Sequence, residues 1–229
     1  TGQFGAIALD LLKAKQANVI VLVRSPEKIS GVAARKFDYS KTEGQVEALQ
    51  GVDTLILVSS SEVGQRTLQH SNVIESAKKA GVKHIIYTSL LGATNDNTVK
   101  SLAGEHVATE AALKASGITY TILRNGWYTE NYTASIPAAL ANNAFYGSAK
   151  NGKISSALRA ELAEAAVNVA LSEGHENQTY ELAGSTSWTL ADLAAEISKQ
   201  TGKEIPYVDI PAADYAAALV QAGLNEGFA

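Results

Sequence analysis

The sequence contains no cysteine and no methionine. Lack of cysteine excludes disulfides, thiolate metal ligands and a cysteine nucleophile, and it suits a reducing cytosol. Lack of an initiator methionine leads to the expectation that part of the opening, a first strand included, lies upstream of Thr1. Long apolar runs are missing too: "VIVLV", "TLILV" and "HIIYTSLL" fall well short of the roughly 18 residues of a membrane span. No basic, signal-type segment precedes them. The expectation is a soluble, cytoplasmic protein with no membrane partner. Lysine and arginine form no cluster and the formal charge is -4, so there is no footprint for nucleic acid and none is expected as a partner. His70, His84, His106 and His175 have no metal-type spacing and no clustered acids beside them, so no metal site is expected. No G-x-S-x-G elbow marks a serine nucleophile. Internal repeats, charge blocks and low-complexity linkers are also absent.

What is present is a recurring alternation. With 229 residues, 46% of them hydrophobic, the chain can bury one large core or two small ones. Four bursts rich in Val, Ile, Thr and Tyr read as buried strands: Asn18 to Val23, Val52 to Ser60, Val82 to Ser89 and Ile118 to Arg124. Helix-length amphipathic segments lie around them, at Gly5 to Ala14, Gln45 to Gln50, Arg66 to Ala80 and Leu102 to Ser116. Gly81 and Gly117 stand where a helix ends and a strand begins. Strands that alternate with helices are parallel strands joined by crossovers. The fold class expected is therefore α/β, a Rossmann-type doubly wound parallel sheet with a smaller C-terminal α/β portion. Residues 1–126 would form the dinucleotide-binding domain and 127–229 the smaller, substrate-binding portion, packed on the sheet and not strictly separate. In that portion the helices Arg159 to Leu171 and Leu190 to Lys199 alternate with short strands in "TYELAG" and "EIPYVDI".

The opening "TGQFG" gains meaning on this scaffold. Gly2 and Gly5 sit where a strand would turn into the first helix, so that backbone N–H groups and the helix dipole can meet a diphosphate. By itself GxxG also fits an ordinary turn. Arg24 ends the next strand, about twenty residues after Gly5, where this fold places the group that reads the adenosine ribose. An acid there would accept from the 2′-hydroxyl of NAD. An arginine offers its planar fork to a 2′-phosphate instead, which makes NADPH the expected cofactor unless Arg24 is merely a solvated strand-end charge. Asp38, in "AARKFDYS", either faces the adenine amino group or caps a turn. The interval from Arg24 to Asp38 is short for a helix and a strand. Ser59, Ser60 and Ser61 follow one strand, and Thr88 and Ser89 end the next. Both sets lie at the carboxyl edge, where small polar side chains leave room for a ligand.

"SSSEVGQR", "YTSLL" and "LRNGWYTENY" resemble the NADPH-dependent quinone oxidoreductase 2 type within the NmrA-like atypical short-chain dehydrogenases/reductases. The similarity runs in register from Thr1 to at least Leu190. The resemblance implies that Thr1, Gly2, Gln3, Phe4 and Gly5 are the remaining part of a glycine-rich nucleotide loop and that Arg24 meets the 2′-phosphate. It implies further that Ser59 to Ser61 line the cofactor cleft and that Asn125, Gly126, Trp127 and Tyr128 flank the nicotinamide end. Arg159 would reach the cofactor from the C-terminal portion.

The residues that carry the chemistry are less evident. Tyr146 and Lys150 have the Tyr-x-x-x-Lys spacing of typical short-chain dehydrogenases, but Gly147 and "ANNAF" point to a strand and turn, not a helix. His106 stands about where relatives carry a helix lysine. It could position a substrate oxygen or relay a proton near neutral pH, or it could be a hydrogen-bonded helix histidine. Asn125 and Tyr128 are the other catalytic candidates. Trp127, Tyr128 and Tyr132 could stack on a quinone or pack in a core. The function expected is hydride transfer from NADPH to a quinone or similar small electrophile, with solvent supplying the proton. The alternative is a non-catalytic NADP-binding regulator. The number of subunits stays open, a homodimer included.

Overall fold

The chain runs α1 (Gln3–Ala14), β1 (Ile20–Val23), β2 (Ala33–Lys36), α2 (Gln45–Ala48), β3 (Thr54–Leu57), α3 (Arg66–Ala80), β4 (His84–Leu90), α4 (Lys100–Ala115) and β5 (Thr119–Asn125). It continues through α5 (Thr129–Thr133), α6 (Ile136–Asn142), β6 (Phe145–Gly147), α7 (Arg159–Ala170), β7 (Gln178–Leu182), α8 (Leu190–Thr201), β8 (Tyr207–Asp209) and α9 (Ala212–Gln221). This is a computed structural model, and it describes residues 2–94, 100–224 and 226.

Two units emerge. The first comprises the residues up to Gly126 together with Leu158–Ala183. Its strands are all parallel: β1 pairs with β2, and β3, β4, β5 and β7 form a four-stranded sheet in that order. In register, Thr54 faces His84, His84 faces Thr119, and Thr121 faces Gln178. Ile85, Ile86 and Tyr87 on β4 are all fully buried. A central parallel strand has both faces covered, so its sequence is a continuous apolar run and not an alternation. Leu57, Val73, Ile85, Leu113 and Ile122 lie in one core, and Leu22 of β1 packs against it. Helices α3 and α4 end cleanly because Gly81 and Gly117 adopt positive φ, 81° and 80°, which a side chain resists. This is a Rossmann-type α/β arrangement.

Two features bear on the sequence-based expectation, the first in line with the short interval before Asp38 and the second a departure. The connection from β1 to β2 contains no α-helix, only a single 3₁₀ turn at Pro26–Lys28; that accounts for the short interval before Asp38. Residues 158–183 lie in the first unit, not with the C-terminal portion. There α7 packs on α1, and β7 is the edge strand beside β5.

The second unit comprises Trp127–Ala157 and the residues from Gly184 onward. Its β6 and β8 are parallel, with Phe145 opposite Tyr207. Phe145, Leu190, Ala194, Ile197 and Ile205 form its core, against which Tyr132 and Trp188 pack with rings 5.0 Å apart, edge to face. A reciprocal cap starts α8: Asp192 N–H donates to Thr189 Oγ1 at 3.1 Å and Thr189 N–H to Asp192 Oδ2 at 2.8 Å. Among the described residues, no helix is long and apolar enough to cross a membrane.

Candidate active site

Helix α1 begins at Gly2, whose extended backbone (φ −75°, ψ −178°) supplies no capping side chain, and no acidic residue occupies the first turn. Ala6 N–H is the first to bond back, to Gly2 O at 2.9 Å. The N–H groups of Gln3, Phe4 and Gly5 thus have no intrahelical acceptor. Gly2 and Gln3 are exposed, Gly5 is half-buried, and Phe4 is buried and anchors the turn. Such a helix start favours an anion. Thr1, assigned to the same loop, lies outside the described residues. Arg24 follows β1 directly and is exposed. Among the described residues it makes no ion pair or hydrogen bond. The Asp38 carboxylate accepts Ser40 N–H at 3.0 Å, and its carbonyl accepts Gln45 Nε2–H at 2.8 Å, which is the turn-capping geometry.

The loop after β3 is tied on every side. Ser59 N–H donates to Thr88 Oγ1 at 2.8 Å, Ser60 N–H to His70 Nε2 at 3.0 Å and Glu62 N–H to Ser60 Oγ at 3.2 Å. Arg66 Nε donates to Ser60 O. From α4, Glu105 Oε1 accepts Gly64 N–H and Arg66 N–H at 2.9 and 3.1 Å, and so caps α3 from another element. Ser61 remains exposed.

At the end of β4 the two predicted ligand residues turn inward. Thr88 and Ser89 are buried. The Thr88 hydroxyl receives the Ser59 N–H, and Ser89 Oγ donates to Glu110 Oε1 at 2.6 Å. Glu110, itself buried, accepts both Nε and Nη2 of Arg124 at 2.9 and 2.7 Å, and Arg124 Nη1 reaches Glu181 Oε1 at 2.8 Å. The other Glu181 oxygen accepts Gly92 N–H at 2.9 Å. This is a brace across β4, β5, β7 and α4.

Asn125, the last residue of β5, behaves differently. Its side chain is 4% exposed, yet neither Nδ2 nor Oδ1 finds a hydrogen-bond partner among the described residues. Buried amides are almost always paired, so an orphaned one calls for an explanation. Its own carbonyl accepts Leu91 N–H at 2.9 Å. Next to it, Gly126 N–H bonds Leu182 O at 2.7 Å, and a Cβ at Gly126 would stand 3.0 Å from that oxygen. The backbone therefore passes too close to β7 for a side chain.

His106 is buried, with Nδ1 2.7 Å from the hydroxyl of fully buried Tyr87. Burial, reinforced by the Arg66 charge, lowers its pKa to about 4. At neutral pH it is an uncharged, hydrogen-bonded core residue. Burial raises the Tyr87 phenol above its ordinary range.

Arg159 is half-buried and opens α7 in the first unit. In the second unit Trp127 is exposed, and Tyr128 is half-buried and bridges to Ala157. Tyr146 lies on β6 and Lys150 in a turn with φ 48°; they share no helix face.

A family model described as NAD(P)H-binding matches residues 1–173. The chain belongs to this NAD(P)H-binding family. It is 52% identical to quinone oxidoreductase 2 of Escherichia coli (strain K12), covering 100% of this chain and 82% of that one. To an NmrA-like family domain-containing oxidoreductase of Aspergillus flavus it is 34% identical, over 80% of this chain and 61% of the other. Among solved structures, a crystal structure of the Escherichia coli NADPH-dependent quinone oxidoreductase complexed with NADPH superposes with a TM-score of 0.92 at 50% identity, covering 99% of this chain and 82% of that one. The triphenylmethane reductase of Citrobacter sp. complexed with NADP(H) gives 0.93 at 35% identity, covering 99% and 83%.

The residues present fit an NAD(P)H of this family. An uncapped helix start suits a diphosphate, an unpaired strand-end guanidinium suits a phosphate, and a buried amide with both ends open suits a group that donates and accepts. His70, Glu105 and the Glu110–Arg124–Glu181 brace were not identified from the sequence. Their partners lie up to 89 positions away, and no local spacing marks them.

Proposed function

We propose that the chain is an oxidoreductase that moves a hydride from NADPH to a quinone or a similar small electrophile. Asn125 carries this reading: a buried carboxamide whose donor and acceptor are both unused among the described residues is suited to a ligand that is itself a carboxamide or carries a carbonyl, and it stands at the carboxyl end of a central parallel strand. The start of α1 would hold the diphosphate, and Arg24 the 2′-phosphate. Ser61 and the exposed side of the loop after β3 would line the nucleotide. When bound, NADPH supplies the hydride. The chain's own residues fix the orientation of the reacting partners, which is where most of the rate gain in such a transfer arises. A quinone that accepts a hydride needs one proton to complete the hydroquinone. His106 is neutral and enclosed, so water delivers it. Similarity to quinone oxidoreductase 2 supports the acceptor class, and a cytoplasmic location is part of the same proposal.

The test is NADPH oxidation by the purified protein, followed by absorbance with a panel of benzoquinones and naphthoquinones. Turnover that depends on quinone, with NADPH preferred to NADH, is expected. Tight NADPH binding without oxidation by any member of the panel would overturn the reading in favour of a regulator.

A further inference from the structure

The buried imidazole of His70 has a hydrogen-bond polarity fixed by its partners. The Thr109 hydroxyl donates to Glu105 O at 2.8 Å, so toward His70 Nδ1, 3.0 Å away, it can only accept. Nδ1 therefore carries the proton, and Nε2 is left as a lone-pair acceptor. Aimed at that lone pair is the backbone N–H of Ser60, 3.0 Å distant. The ring has no exposure to solvent and is wedged edge-on between Tyr39 and Tyr87, at 6.2 and 5.4 Å. A loop N–H is thus bonded to a side chain that cannot rotate away, through a relay that runs Ser60, His70, Thr109, Glu105.

We propose that His70 is a positioning residue: its unprotonated Nε2 fixes the path of the Ser59–Ser61 turn so that the turn is set for the dinucleotide before the dinucleotide arrives. This rests on the functional reading above. Ser59 is held from β4 by Thr88 and Ser60 by His70, while Ser61 is exposed. The part of the turn left for a ligand is therefore carried by two residues already anchored. Preorganisation of this kind acts on cofactor affinity and little on the chemical step.

Three measurements test it. In the free protein, side-chain nitrogen NMR of His70 should show the Nδ1–H tautomer, and Ser60 N–H should be protected from exchange. Replacement His70→Phe keeps the ring and loses the acceptor. It should weaken NADPH binding about tenfold while kcat at saturating NADPH stays within about twofold. His70→Gln places an amide oxygen near the Nε2 position and should recover most of that loss. Should His70→Phe fail to fold, Thr109→Val serves instead, because it releases the tautomer without touching the loop; it too should expose Ser60 N–H to exchange and weaken binding. A protonated Nε2, or unchanged NADPH affinity in folded His70→Phe or Thr109→Val protein, overturns the proposal. A wild-type protein that binds no NADPH overturns the functional reading and, with it, the purpose assigned to this bond.

Discussion

At the carboxyl end of β4, Thr88 and Ser89 are polar residues bound to the protein itself: one holds a loop N–H and the other anchors a buried carboxylate. One strand over, Asn125 ends β5 with its amide unpaired among the described residues, and Arg24, just after β1, has no partner among them either. All four sit at the same kind of position in the same kind of fold. The difference teaches that polarity at a strand end does not by itself assign a role, and that at these four positions hydrogen-bond satisfaction separates Thr88 and Ser89 from the two residues proposed for the site. A satisfied group stabilises the fold. An unsatisfied buried one costs about 1–3 kcal/mol unless a ligand completes it.

The sharpest way to break this distinction is at Glu110, the hub of the satisfied side. Glu110→Ala leaves Ser89 without its acceptor and Arg124 with only Glu181. A loss of about 3 kcal/mol in unfolding free energy is expected, at the low end for a broken buried pair because Arg124 keeps one partner. Chemical denaturation reads it; a shift under 1 kcal/mol would show that the brace is incidental. On the unsatisfied side, Arg24→Ala should weaken NADPH binding by about 1.5–3 kcal/mol and leave NADH binding and stability nearly unchanged. Equal losses for both cofactors in fluorescence titration would remove the 2′-phosphate assignment.

A further effect, on the scaffold side, is expected from pH. Burial lowers the pKa of His70 to about 3 and that of His106 to about 4, both from 6.5. The unfolded chain therefore takes up these protons first. The contribution of the two neutral rings is whole above about pH 6.5 and is lost as the pH falls toward those lower values. Stability should decline by up to about 1.4 kcal/mol per pH unit for each histidine. Thermal unfolding between pH 7 and 5, above most carboxylate titration, measures it. A flat profile there would mean that the rings ionise in the folded protein.

Much of this was legible in the sequence. The apolar bursts marked every strand of the larger unit that has two covered faces, and α3 begins and ends at Arg66 and Ala80 as its periodicity and Gly81 indicate. The edge strand β7 was misplaced because "TYELAG" looks alike in either unit; only its pairing with β5 settles it. At the site, residue type and strand-end position picked out Arg24, Thr88 and Ser89 alike, and Asn125 came from the family resemblance. What separates them is the presence of Ser59 N–H and Glu110, which come from 29 and 21 positions away. The positions of His70, Glu105 and Thr109 on α3 and α4 are likewise fixed by helix packing, which no short motif encodes.

Asn125 tests the central claim most directly, because it is where fold and function should part. In Asn125→Ala the unfolding free energy should stay within about 1 kcal/mol of wild type or rise, since no bond is lost. In the same protein, kcat/KM for quinone reduction by NADPH should fall by a factor equivalent to about 1–3 kcal/mol. A variant that loses several kcal/mol of stability while keeping wild-type kcat/KM would place Asn125 with the scaffold and contradict the account.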